Sequence, residues 1–128
     1  MYISPLGLTT GAMPHKDCVL QATFDFLNHE LVMTCNDRRQ EKIGLYPRTV
    51  ADFYREFESV LKKLNVDVRI WTMPVEVPNP IPFEQDTKHA SYDSEAVERF
   101  SRVLQTITPI FEEFRGRFIG KSSPVHFF

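Results

Sequence analysis

Between Asp93 and Phe118 the apolar residues Val97, Phe100, Leu104, Ile107, Phe111, Phe114 and Phe118 follow one another at steps of three and four. A helix turns about every 3.6 residues, so this spacing brings all of them to one face. Such a face needs a partner surface. The expectation is therefore a long helix laid on a sheet and buried along its length. Asp93 is its expected N-cap. Pro109 has no amide to donate to Gln105, so a kink is expected there.

The strands to receive it lie earlier in the chain. Val19 to Leu27 alternates Leu20, Ala22, Phe24 and Phe26 with Gln21, Thr23 and Asp25, which reads as a strand with one wet face. Asn28-His29-Glu30 turns the chain into a second strand, Leu31 to Asn36. Asn36-Asp37-Arg38-Arg39 turns it again into a third, Lys42 to Tyr46, which Pro47 ends. Tyr2 to Thr10 reads as one edge or bulged strand because it contains Pro5 and Gly7, and Gly11 to Asp17 reads as a loop.

Thr49-Val50-Ala51-Asp52 has the capping-box pattern, and the helix behind it carries Val50, Phe53, Phe57, Val60, Leu61 and Leu64 on one stripe, stopping near Asn65. Val66 to Trp71 reads as a short strand. Met73 to Phe83 contains Pro74, Pro78, Pro80 and Pro82, which hold the backbone extended and keep it on the surface. Val125 to Phe128 reads as the start of a further strand. The fold class that follows is α+β, an antiparallel meander sheet of four to six strands with two helices packed on one face.

At 128 residues this is a single domain, residues 1–128. The chain holds eleven phenylalanines, two of them its last residues, and an apolar end is the sign of a piece of a longer protein. Fifteen basic and 17 acidic residues give a net charge of −2 without any basic run, so a nucleic-acid partner is not supported. No apolar segment approaches the ~20 residues that cross a bilayer. Cys18 and Cys35 read as reduced thiols of a cytoplasmic protein.

Three candidate sites stand against plainer readings. Gly116 to Ser122 has three residues between its glycines, where a phosphate loop needs four, and it follows a helix; it is a helix-ending turn. His15-x-x-Cys18 and Asp86-x-x-His89, with His29, Cys35 and His126, have ligand-like spacing but form no recurring metal pattern, so no metal and no cofactor are assigned. Asp86, His89, Tyr92, Lys121, Ser122 and His126 are the candidates for a polar pocket that binds a small molecule near the start of the long helix. The plainer reading has Asp86 and His89 fixing a loop. Trp71 with Pro74, Pro78, Pro80 and Pro82 is the candidate surface of a non-enzymatic interaction module, because ordered prolines lose little entropy on docking. Self-association through an exposed sheet edge or the aromatic tail is also expected.

The runs V-A-D-F-Y-R-E-F (Val50 to Phe57), D-V-R-I-W-T-M-P-V-E-V-P-N-P-I-P-F (Asp67 to Phe83), H-A-S-Y-D (His89 to Asp93) and F-R-G-R-F-I-G-K-S-S-P-V-H-F-F (Phe114 to Phe128), with G-L-T-T (Gly7 to Thr10), resemble an uncharacterised bacterial family, DUF5996. The resemblance covers essentially the whole chain. It implies that members extend on both sides, so that this chain is an N-terminal half that begins inside the first strand. It implies no reaction, cofactor or catalytic residue.

Overall fold

The computed structural model describes residues 1–127. Six strands form one antiparallel sheet: β1 (Tyr2–Ser4), β2 (Gly7–Thr9), β3 (Met13–His15), β4 (Cys18–Asp25), β5 (Glu30–Cys35) and β6 (Gln40–Gly44). The order is β1-β2-β4-β5-β6, with β3 beside β4. Two helices follow, α1 (Val50–Lys63) and α2 (Ser94–Gly116), with a single 3-10 turn at Phe83–Gln85 between them.

The register places Ile3, Leu8, Phe24, Leu31 and Ile43 directly opposite one another across five strands. Strand side chains alternate faces, so this row defines the apolar side of the sheet. The neighbouring row on the other side is Tyr2, Thr9, Thr23, Val32 and Lys42. There Gln21 Nε2 donates to Thr9 Oγ1 at 2.8 Å and Lys42 meets Glu30 at 2.6 Å. Both helices pack on the apolar side. Val60, Leu61 and Leu64 of α1 cover Leu31, Met33 and Ile43, while Leu104 of α2 packs with Leu8 and Phe26. Full burial of a side chain such as Met33 or Ile43 contributes about 1.5–3 kcal/mol.

α1 is closed at both ends. Thr49 Oγ1 accepts the Asp52 amide at 3.1 Å. At the other end Asn65 takes a left-handed φ of +56°, its amide donates to Lys62 O at 3.1 Å, and the Val66 amide donates to Leu61 O at 2.8 Å. This Schellman closure ends the helix where the sequence indicates, and Val66 continues into the core beside Leu61.

Three sequence-based expectations for strands change. Tyr2 to Thr10 is a hairpin, with β1 and β2 joined through Pro5-Leu6. Gly7 makes this fold-back affordable in space: a Cβ there would lie 2.3 Å from the Phe24 carbonyl oxygen. The expected loop after it contains β3. Between the pairs Thr9 with Thr23 and Met13 with Leu20, three residues oppose two, so Thr10-Gly11-Ala12 is a bulge that carries the chain from β2 to β3 along the same side of β4. Pro14 is tolerated because β3 is an edge. Val66 to Trp71 is not a strand. Here the Asp67 amide donates to the ring of His15 at 3.3 Å, so the neighbouring edge is met by a side chain instead of a backbone ladder. At the C-terminus His126 forms an isolated bridge with Tyr2, and the Phe127 amide donates to Met1 O at 2.7 Å; Phe128 lies outside the described residues.

α2 is helical through Pro109, and Asp93 caps it by accepting the Ala96 amide at 2.9 Å. Its apolar face is not buried along its length. Leu104 is 6% exposed, and Val97 and Ile107 pack on the same cluster, whereas Phe111, Phe114 and Phe118 all face solvent, Phe114 at 77%. The reason is reach: the helix is longer than the sheet beneath it, and the residues that cover it, Ile3, Leu8, Phe24 and Phe26, gather around Val97, Leu104 and Ile107. Leu104→Ala is expected to cost about 3 kcal/mol in chemical denaturation, while Phe114→Ser changes stability by less than about 0.5 kcal/mol. Equal losses for the two would mean that the outer half of α2 is covered in solution.

Candidate functional site

The polar residues ahead of α2 divide between two tasks. Asp86 is buried, and its Oδ1 accepts the amides of Lys88 (3.1 Å) and His89 (3.0 Å) while Oδ2 meets His89 Nδ1 at 2.8 Å. The His89 amide, with its ring and the Lys88 amide, outweighs burial and holds the Asp86 carboxyl below the usual range. The loop so formed turns its carbonyls to α1. Val50 N donates to His89 O and Ala51 N to Asp86 O, each at 3.0 Å. With Thr49 on the Asp52 amide, the first turn of α1 has its donors satisfied by protein. Asp86 and His89 thus anchor the start of α1 and leave no anion site there.

Tyr92 does something else. Its hydroxyl lies 2.9 Å from Nδ1 of His29, whose Nε2 lies 3.6 Å from Glu98 of α2. The two rings meet edge to face with centroids 5.9 Å apart. Burial, then the Glu98 charge, pushes the Tyr92 phenol up. His29 is held in place by backbone as well as side chain. It has a φ of +52°, uncommon for a residue with a side chain, and its carbonyl accepts the Leu45 amide at 2.7 Å.

Tyr92 and His29 wall an open cleft of about 660 Å3 between the β4–β5 turn and the start of α2, with Tyr46, Pro47, Ser94 and Glu95 also on its lining. Tyr46 is backed by Arg48, whose guanidinium lies 4.7 Å from that ring and 4.9 Å from Phe53. The Tyr92-His29 pair, with Glu98 behind it, holds the phenol oxygen against the cleft. It offers a rigid acceptor, the free side of the Tyr92 oxygen, with the Glu95 carboxylate nearby on the lining.

Residues 1–128 match DUF5996, a family of unknown function. The chain belongs to that family. No curated protein and no solved structure matches it. The family assignment thus brings no reaction to the cleft.

Of the residues singled out in this DUF5996 member from sequence, Tyr92 is on the cleft and Asp86 with His89 is at the start of α1. His126 is in the bridge to Tyr2, its Nδ1 2.8 Å from Pro124 O, on a separate hollow lined by Met1, Tyr2, Thr10, Ser123 and Pro124. Lys121 and Ser122 are exposed on the tail after α2. Trp71 is 74% exposed, Pro78 and Pro80 are exposed, and Pro74 and Pro82 are half-buried, so the strip runs over the surface. The Phe83 amide closes it onto Thr72 O at 3.0 Å. Cys18 and Cys35 are free buried thiols. Among the described residues no group of three or more His, Cys, Asp or Glu is placed to hold a metal, and no helix is long and apolar enough to cross a membrane. His29 and Glu98 were not among the sequence candidates for the pocket. His29 lies 63 residues before Tyr92, and no local spacing signals the pairing.

Asp25 is the second buried carboxylate. Burial raises it, but the Asn28 side chain and the amides of Asn28 and Leu27 together hold it below the usual range. Asp25 and Asp86 therefore bind protons less readily folded than unfolded. Their contribution is whole above the unfolded carboxyl value of about 3.9 and is lost as pH falls through the lower folded values. Asp25→Asn should lower stability at neutral pH by about 1–3 kcal/mol and flatten the acid limb of a stability-against-pH curve measured by urea unfolding. An unchanged acid limb would show that Asp25 titrates alike in both states.

Proposed function

We propose that this DUF5996 protein binds a small polar ligand in the cleft between the β4–β5 turn and the start of α2, and that the ligand is rich in hydrogen-bond donors. The observation that supports this is the hydrogen bond between Tyr92 and His29 on the cleft wall, with Glu98 3.6 Å behind the His29 ring. It holds the phenol in place on the wall, with one side of its oxygen turned to the cleft. Glu95 and Asp93 on the same lining favour an amine or hydroxyl over an anion. The reading is one of binding. A thermal-shift screen of amines and polyols should give hits whose shifts vanish in Tyr92→Phe, which keeps the ring, and persist in His89→Ala, which alters only the loop at α1. Shifts that survive Tyr92→Phe would remove the reading.

A second reading, a non-enzymatic interaction module, is favoured by the outer half of α2. Phe111, Phe114 and Phe118 continue the three-and-four seam whose inner half, Leu104 and Ile107, is already packed on the sheet. The flanking charges are neutralised within the helix, Glu112 by Arg115 and Glu113 by Arg117. A second copy therefore meets an apolar stripe with no net charge to repel it, and we take that copy as the occupant. The sheet edge is less suited to association, because β6 presents Gln40, Glu41 and Lys42. The aromatic tail is engaged too, with Phe127 against Phe100 at 5.3 Å between ring centroids. Light scattering should show a concentration-dependent dimer that Phe114→Glu abolishes. A monomer at every concentration would exclude this reading.

A further inference from the structure

Beside α1 part of the sheet's apolar side stays open. A slot of about 420 Å3 has Leu20, Ala22, Phe24 and Met33 on its sheet side and Phe57 and Ile70 on its other sides. The polar side chains on its lining, Thr10 and His15, are already engaged: Thr10 Oγ1 donates to Gly11 O at 2.9 Å, and His15 Nε2 accepts the Asp67 amide at 3.3 Å. A slot with so little to offer water favours an apolar occupant. Met13 and Met33 on its lining let the walls adapt to one.

The slot does not stand alone. A second hollow of about 620 Å3 shares Leu61, Val66, Val68 and Ile70 with it. That hollow carries Lys16, Lys62 and Arg69 against Glu58 and Asp67. Lys16 is paired with Asp67 at 3.6 Å, and Glu58 lies beside the Tyr54 phenol, which burial and then the Glu58 charge push up. Lys62 and Arg69 make no ion pair among the described residues. Two unpaired cations thus lie next to an apolar slot.

We propose that the two hollows form one binding site for a single-chain amphiphile with a carboxylate head, its aliphatic chain in the slot and its carboxylate at Lys62 and Arg69. The site lies apart from the Tyr92 cleft and shares no lining residue with it. Apolar burial supplies the attraction for the chain, and the two cations select the charged head over a neutral one.

Calorimetric titration with sodium decanoate below its micelle concentration, and with decanol as the uncharged probe, tests it. The wild-type chain should bind decanoate saturably at one site. The surface pair Lys62→Glu with Arg69→Glu should weaken decanoate by about tenfold or more, close to 1.4 kcal/mol or above, and leave decanol unchanged. Ala22→Leu and, independently, Ile70→Trp fill the slot and should weaken both probes; circular dichroism identifies a variant that has not folded, and the other then carries the test. Absence of saturable decanoate binding to wild type, or unchanged binding in a folded slot-filling variant, overturns the proposal. Equal decanoate affinity in the charge-reversed pair overturns the assignment of the head group and with it the site as stated.

Discussion

The structure depends on one row of side chains. Ile3, Leu8, Phe24, Leu31 and Ile43 stand opposite each other from one edge of the sheet to the other, and each is a neighbour of the next across a hydrogen-bonded pair of strands. A slip of a single residue at any of these pairings would turn that strand's apolar residues to the wet face. Burial under the two helices therefore sets register throughout the sheet. The helices share the row between them: α1 takes the end at Ile43 and Leu31, and α2 the end at Leu8 and Ile3. Two separate clusters result, and the apolar slot lies on the sheet beside α1.

The polar sites are consequences of how loops are tied to that frame. The segment from Asp86 to His89 satisfies the first amides of α1 with its carbonyls, which costs it any chance of presenting them to a ligand. Its carboxylate and imidazole are spent on holding the loop in shape. The next residues have the opposite fate. Tyr92 lies at the start of α2 and reaches the β4–β5 turn, where a left-handed backbone at His29 aims an imidazole at it. The same composition, a histidine near a carboxylate, serves architecture in one place and a cleft wall in the other. The difference lies in what else each group has to satisfy.

The outer half of α2 shows how helix length and sheet width can disagree. Its apolar seam is as regular beyond Ile107 as before it, yet Ile110, Phe111 and Phe114 stand largely in solvent, as do Phe118 and Ile119 just past the end of the helix. An exposed apolar stripe of this extent is uncommon on a folded chain. The ion pairs along its flanks, Glu112 with Arg115 and Glu113 with Arg117, place no charge on the stripe itself.

By itself the sequence determined the period of each element, and so the α+β class, the three central strands, the caps at Thr49 and Asp93, the stop at Asn65 and the surface course of the prolines. These rest on short-range rules, since alternation, capping and turn residues act within a few positions of the chain. Tertiary structure decided whatever depends on a partner distant in the chain. It folded Tyr2 to Thr10 on itself because Gly7 lets β2 approach β4, made a strand of Met13–His15 through a bulge, and left Val66 to Trp71 outside the sheet because His15 takes its amide. It also chose Tyr92 and His29 as neighbours and left Phe114 in water, because periodicity states which side of a helix is apolar and cannot state how far the surface beneath it extends.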